Sequence, residues 1–220
     1  MTKKLQMKRV PSKTDEGVGV PLSVYKTALA RAEAALARAE AEKDAIHQKW
    51  ERVHQKALRE LTDRLNAIKT AQQSVREAAH RLETALNNLA AFAEGAGGGE
   101  RLSAYCAQKI DGGLDVQQTI QLLAGALHAR MFEFTRALRL TTAETTALRE
   151  VYAPLISLAD EFALAARQAA RGDCAPLMEA IQRHSSEQRR AFFIRLREAV
   201  YESLRATLAA ITQKAIRSTR

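Results

Sequence analysis

From Leu22 to Glu94 the chain contains neither glycine nor proline, and apolar residues recur at alternating spacings of three and four. The first run takes in Leu22, Tyr25, Leu29, Ala32, Leu36, Ala39, Ile46, Trp50, Val53 and Ala57. It restarts one residue later at Leu58 and continues through Leu61, Leu65, Ile68, Val75, Ala79, Leu82, Leu86, Leu89 and Ala93. Such spacing is a heptad seam, the signature of a helix that packs along another helix. The one-residue skip at Ala57/Leu58 relaxes the supercoil locally without ending the helix. A continuous helix of this span would be about 110 Å long at 1.5 Å per residue. In isolation it would leave a long apolar stripe in water, so the pattern asks for a partner.

The seam is not uniform. Ala28, Ala32, Ala35 and Ala39 make its first half narrow, while its second half is rich in leucine. Lys43 and Gln72 interrupt it. A polar seam residue lowers stability and can fix register, although a lysine also reaches solvent along its own stem.

The run Gly95-Ala96-Gly97-Gly98-Gly99 ends the long helix and marks the clearest boundary in the chain. Beyond it the punctuation predicts shorter helices. One spans residues 102–110, closed by Asp111-Gly112-Gly113. Asp115, with Gln118 three residues on, caps a second that reaches Leu140. Thr141 and Glu144 form a capping box opening a third, which Pro154 should kink and Gly172 should end, with Asp173 as the cap of the helix that follows. Helix then resumes near Pro176 and runs to about Ile216, with an interruption at His184-Ser185. Amphipathic stripes such as Ile120/Leu127/Phe134, Leu148/Leu155/Phe162 and Phe193/Val200/Leu204 predict an antiparallel bundle. No run of alternating β-branched residues supports a strand.

The expected class is therefore all-α. Residues 1–21 are expected to form a disordered basic tail, 22–94 a long coiled-coil helix, 95–100 a glycine-rich hinge and 101–220 a helical bundle. The net charge of +9 is uneven. Five basic and two acidic residues lie in 1–21, and nine basic and four acidic in 174–220. Basic ends of this kind suit nucleic acid, anionic lipid or an acidic protein. The candidate phosphate contacts are Lys3, Lys4, Lys8, Arg9, Lys13, Arg189, Arg190, Arg195 and Arg197. Cys106 and Cys174 fit neither a disulfide framework nor a metal motif, which points to a reducing compartment, the cytoplasm. No stretch is long and apolar enough to span a bilayer, and no apolar segment follows the N-terminal lysines as a secretory signal would require.

Candidate chemistry is sparse. Glu51-x-x-His54 and Glu77-x-x-His80 have the spacing of di-iron carboxylate bundles. On one straight helix, however, the two pairs would lie about 39 Å apart. Surface Glu/His pairs are the plainer account, so no metal or cofactor is expected. His184 and Ser185 are adjacent, and adjacent helical side chains do not face each other. The glycine run lacks the Lys-Ser/Thr that completes a phosphate loop. No catalytic residue is assigned.

The leading expectation is a non-enzymatic interaction or scaffolding protein that self-associates or docks a helical partner. Its seam would be Leu29, Leu36, Ile46, Trp50, Val53, Leu58, Leu61, Leu65, Ile68, Val75, Leu82, Leu86 and Leu89. The same sequence leaves open a nucleic-acid-associated protein using its basic ends, or a secreted helical effector or structural component of a mobile element.

Overall fold

The structure, a computed structural model, describes residues 21–218. Helix α1 (Leu22–Ala93) is followed by α2 (Gly98–Ala107), a 3-10 turn (Asp111–Gly113), α3 (Val116–Leu138), α4 (Thr142–Ala169), α5 (Ala175–Arg183) and α6 (Ser186–Ser218). The described residues contain no strand, so the all-α expectation holds.

Helix ends follow the sequence signals closely. At the start of α3 the Asp115 carboxylate accepts from the Gln118 N–H at 2.8 Å, and the Gln118 side chain accepts from the Asp115 N–H at 3.0 Å. Thr141 and Glu144 make the equivalent box at α4, and these bonds from Thr141 hold the Glu144 carboxyl below the ordinary carboxylate range. A third box, Ser185 with Gln188, opens α6. These contacts satisfy N–H groups that a helix start leaves without internal partners.

Three boundaries differ from expectation. Helix α2 begins at Gly98, not near Leu102, because Gly97 turns the chain at φ 73° and Gly98 starts the helix immediately. A Cβ at Gly98 would collide with the carbonyl of Ala93, so the turn depends on that glycine. Helix α3 ends on Arg139 in the left-handed region (φ 57°), a role commonly taken by glycine. Helix α5 is preceded by Cys174, without a side-chain cap, and Asp173 lies outside it.

The chain divides into two compact units between Arg59 and Glu60. The first, as described, is helical, and every residue of 21–59 is exposed. The second holds the core. Helix α4 is central to it and touches α2, α3, α5 and α6. Its buried Ala159, Ala163, Ala165, Ala166 and Ala169 let neighbours approach, while Leu155 and Phe162 fill the interior. Met131 and Phe134 of α3 and Phe193 and Leu196 of α6 join the same cluster.

So do Ile68, Val75, Leu82, Leu86 and Leu89 of α1. The expected division at the glycines therefore needs correction, because the bundle takes in α1 from Glu60 onward. The glycine run joins two members of one core. Helix α1 is tied to α6 by Glu83, which accepts from Arg197 at 3.2 Å, and by Asn87, which accepts from Arg189 at 3.3 Å.

Candidate interaction surface

The heptad spacing of α1 continues from one unit into the other, but its surroundings change. In the second unit Ile68, Leu82, Leu86 and Leu89 are 0% exposed and Val75 is buried, while Leu61 and Leu65 are half-buried. Their partners are helices of the same chain. In the first unit Leu22, Tyr25, Leu29, Leu36, Ile46, Trp50, Val53 and Leu58 keep between 49% and 71% of their surface in water. A row of exposed large apolar side chains is the kind of surface that marks an interaction site. The candidate seam thus consists of a used half and an open half.

The open half carries the chain's single tryptophan. Trp50 lies parallel to His54, with centroids 5.0 Å apart and planes 5° from coplanar. Two turns before His54, His47 meets Glu51 at 3.3 Å. The Glu51/His54 and Glu77/His80 pairs do not come together as ligand sets. Glu51 turns to His47, Glu77 accepts from Gln73 at 3.0 Å, and the His80 side chain is exposed. Among the described residues, no group of three or more His, Cys, Asp or Glu side chains could hold a metal ion.

Of the candidate phosphate contacts, Lys3, Lys4, Lys8, Arg9 and Lys13 lie outside the described residues. Arg189 does not face solvent. It is 4% exposed, donating to the Asn87 side chain and, at 2.6 Å, to the His184 carbonyl. Burial lowers its pKa, and both these acceptors are neutral. The helix turns this position inward between α1 and the α5/α6 junction, so Arg189 is a structural residue. Arg197 is exposed but engaged with Glu83, whereas Arg190 and Arg195 are exposed with no ion pair among the described residues. Replacing Arg189 with alanine should lower stability by about 2 kcal/mol, since it removes the hydrogen bonds that the buried guanidinium makes to Asn87 and to the His184 carbonyl. A chemical denaturation curve with unchanged midpoint would contradict that role.

The sequence did not reveal the contacts where α5 meets α6. Glu161 of α4 receives Arg183 at 2.7 Å and His184 at 2.9 Å, while Arg183 also reaches Glu179 at 2.5 Å. Glu161 lies 22 residues from Arg183 in sequence, and no local pattern announces such a contact. Cys106 is buried, which, with the neighbouring Cys174 and Asp115, pushes its pKa up to about 12. Cys174 donates to the Gly99 carbonyl at 3.1 Å. A groove of about 670 Å³ runs between α3, α4 and α6, with Leu138, Leu148 and Ile211 in its walls. Neither histidine nor cysteine lines it.

No helix among the described residues is long and apolar enough to cross a membrane. Compared with known proteins, the chain matches no family model, no curated protein and no solved structure.

Proposed function

We propose that this protein is a non-enzymatic interaction protein that self-associates through the open heptad face of residues 22–58. One observation carries the reading. The same seam spacing is buried by the chain itself in the second unit and left in water in the first. A heptad face is stable in water only when covered, because burial of each large apolar side chain contributes about 1.5–3 kcal/mol. The second unit already has a core of its own, so the open face is the part of the seam available to another chain. The unpaired cysteines suit a reducing compartment, the cytoplasm.

Light scattering over a concentration series tests this. The full chain should show a mass above that of the 24.3 kDa monomer, and Leu36→Asp with Val53→Asp should return it to monomer. The melting of the second unit should survive those substitutions, since both residues are exposed outside it. A monomeric mass at every concentration would refute self-association.

A further inference from the structure

We infer that two copies of this chain pair antiparallel over residues 32–57, in the register that sets residue 44 of one copy opposite residue 45 of the other. This rests on the self-association reading and adds orientation and register to it. The three-four spacing places Leu29, Leu36, Lys43, Trp50 and Ala57 at the first core position of each heptad. It places Tyr25, Ala32, Ala39, Ile46 and Val53 at the second.

In a parallel, in-register pair each core residue meets its own copy. Lys43 would face Lys43, with two ammonium groups converging on the seam. Ala32 and Ala39 would make thin layers and Trp50 a very thick one, all within a few turns. Packed helices lie about 8–10 Å apart and do not change separation that abruptly. The parallel arrangement is therefore poor in both charge and shape.

Antiparallel pairing sets first core positions against second ones. In the stated register Leu36 meets Val53, Ala39 meets Trp50 and Lys43 meets Ile46, each pair occurring twice by symmetry. The small Ala39 leaves room for the indole. The Lys43 stem lies along Ile46 while its ammonium leaves for solvent. The narrow, alanine-rich half of the seam thus packs against the bulky half.

The flanking charges select the same register. Glu33, Glu40, His47 and His54 follow the second core position, while Ala35, Glu42, Lys49 and Lys56 precede the first. Antiparallel pairing brings like flanks together. It matches Glu33 with His54, Glu40 with His47 and Glu42 with Lys49, and sets Ala35 beside Lys56. Each match occurs twice and no like-charge pair arises. A shift of one heptad in one direction sets Glu40 against Glu40 and Glu42 against Glu42. The opposite shift sets His47 against His47 and Lys49 against Lys49. All these side chains are exposed, and among the described residues Glu33, Glu40, Glu42 and Lys49 have no ion pair. Charges flanking the seam are what set partner orientation in helix pairs.

Spin-label distances on the full chain test the inference. A Cys174→Ala background leaves only Cys106, whose buried thiol resists labelling. Labels introduced by Ala41→Cys and, separately, by Thr27→Cys lie on the outer face of the helix, away from the seam. In the stated register the paired labels are offset along the axis by about 10 Å at position 41 and about 52 Å at position 27. Short separations at both positions, in a sample whose mass exceeds the monomer, would overturn the antiparallel arrangement and leave self-association standing. Offsets altered by about 10 Å at both positions would overturn the register. A monomeric mass would remove the reading on which both depend.

Discussion

A fragment of residues 60–220 will unfold in one cooperative transition, whereas residues 101–220 alone will not. Counted by the stripes of α3, α4 and α6 alone, the bundle would be complete after the glycines. Its core nevertheless includes seven residues of α1, five of them large: Ile68, Val75, Leu82, Leu86 and Leu89. Burying five such side chains contributes about 10 kcal/mol. That is comparable to the entire net stability of a typical domain, about 5–15 kcal/mol. Cutting at the glycines also removes the acceptors Glu83 and Asn87, leaving Arg197 and the buried Arg189 without them. Circular dichroism melts of the two fragments decide the matter. A sharp transition for 101–220 at the midpoint of the longer fragment would show that α1 is dispensable to the core.

Two leucines of α1 should respond oppositely to the same substitution. Leu82→Ala will destabilise the second unit by about 2–5 kcal/mol, the range for truncating a fully buried leucine that leaves a cavity. Leu36→Ala will leave that unit's stability within about 0.5 kcal/mol, as exposed substitutions do, and will weaken association between copies instead. Both residues sit at seam positions of one helix and differ in burial, 0% against 61%. Denaturant midpoints with concentration-dependent mass measurements separate the two effects. Equal losses of stability would mean that the two halves of the seam fold as one.

Local physics made much of this fold legible. The capping residues Asp115 and Thr141 announce their helices because an orphan N–H needs an acceptor, and both do so in the structure. The α3 and α4 stripes face inward, as their period requires. The α6 stripe fades after Val200, with Leu204 and Ile211 half-buried and Leu208 exposed, because its period says nothing about where neighbouring helices end. Long-range assignments were harder. A seam position looks the same whether its cover comes from this chain or another, so Leu36 and Leu82 could not be told apart. Arg189 reads as one of several basic residues until Asn87, 102 positions earlier, is brought beside it. Glycines mark a break in helix but not a break in core, which is why the unit boundary lies at Glu60, inside an unbroken helix.

The position of Trp50 determines what can be observed optically. It is the sole indole, it lies in the first unit, and 61% of its surface meets water. Tyrosine and phenylalanine are the aromatic residues of the buried core, where Tyr152, Phe134, Phe162 and Phe193 sit. Indole emission moves with the polarity around the ring, so this fluorophore senses whatever covers residues 46–54 and is nearly blind to loss of the bundle. Heating or denaturant followed by tryptophan fluorescence would report an interface, while ellipticity would report the fold. The two signals need not share a midpoint, and their separation would measure how independent association is from folding.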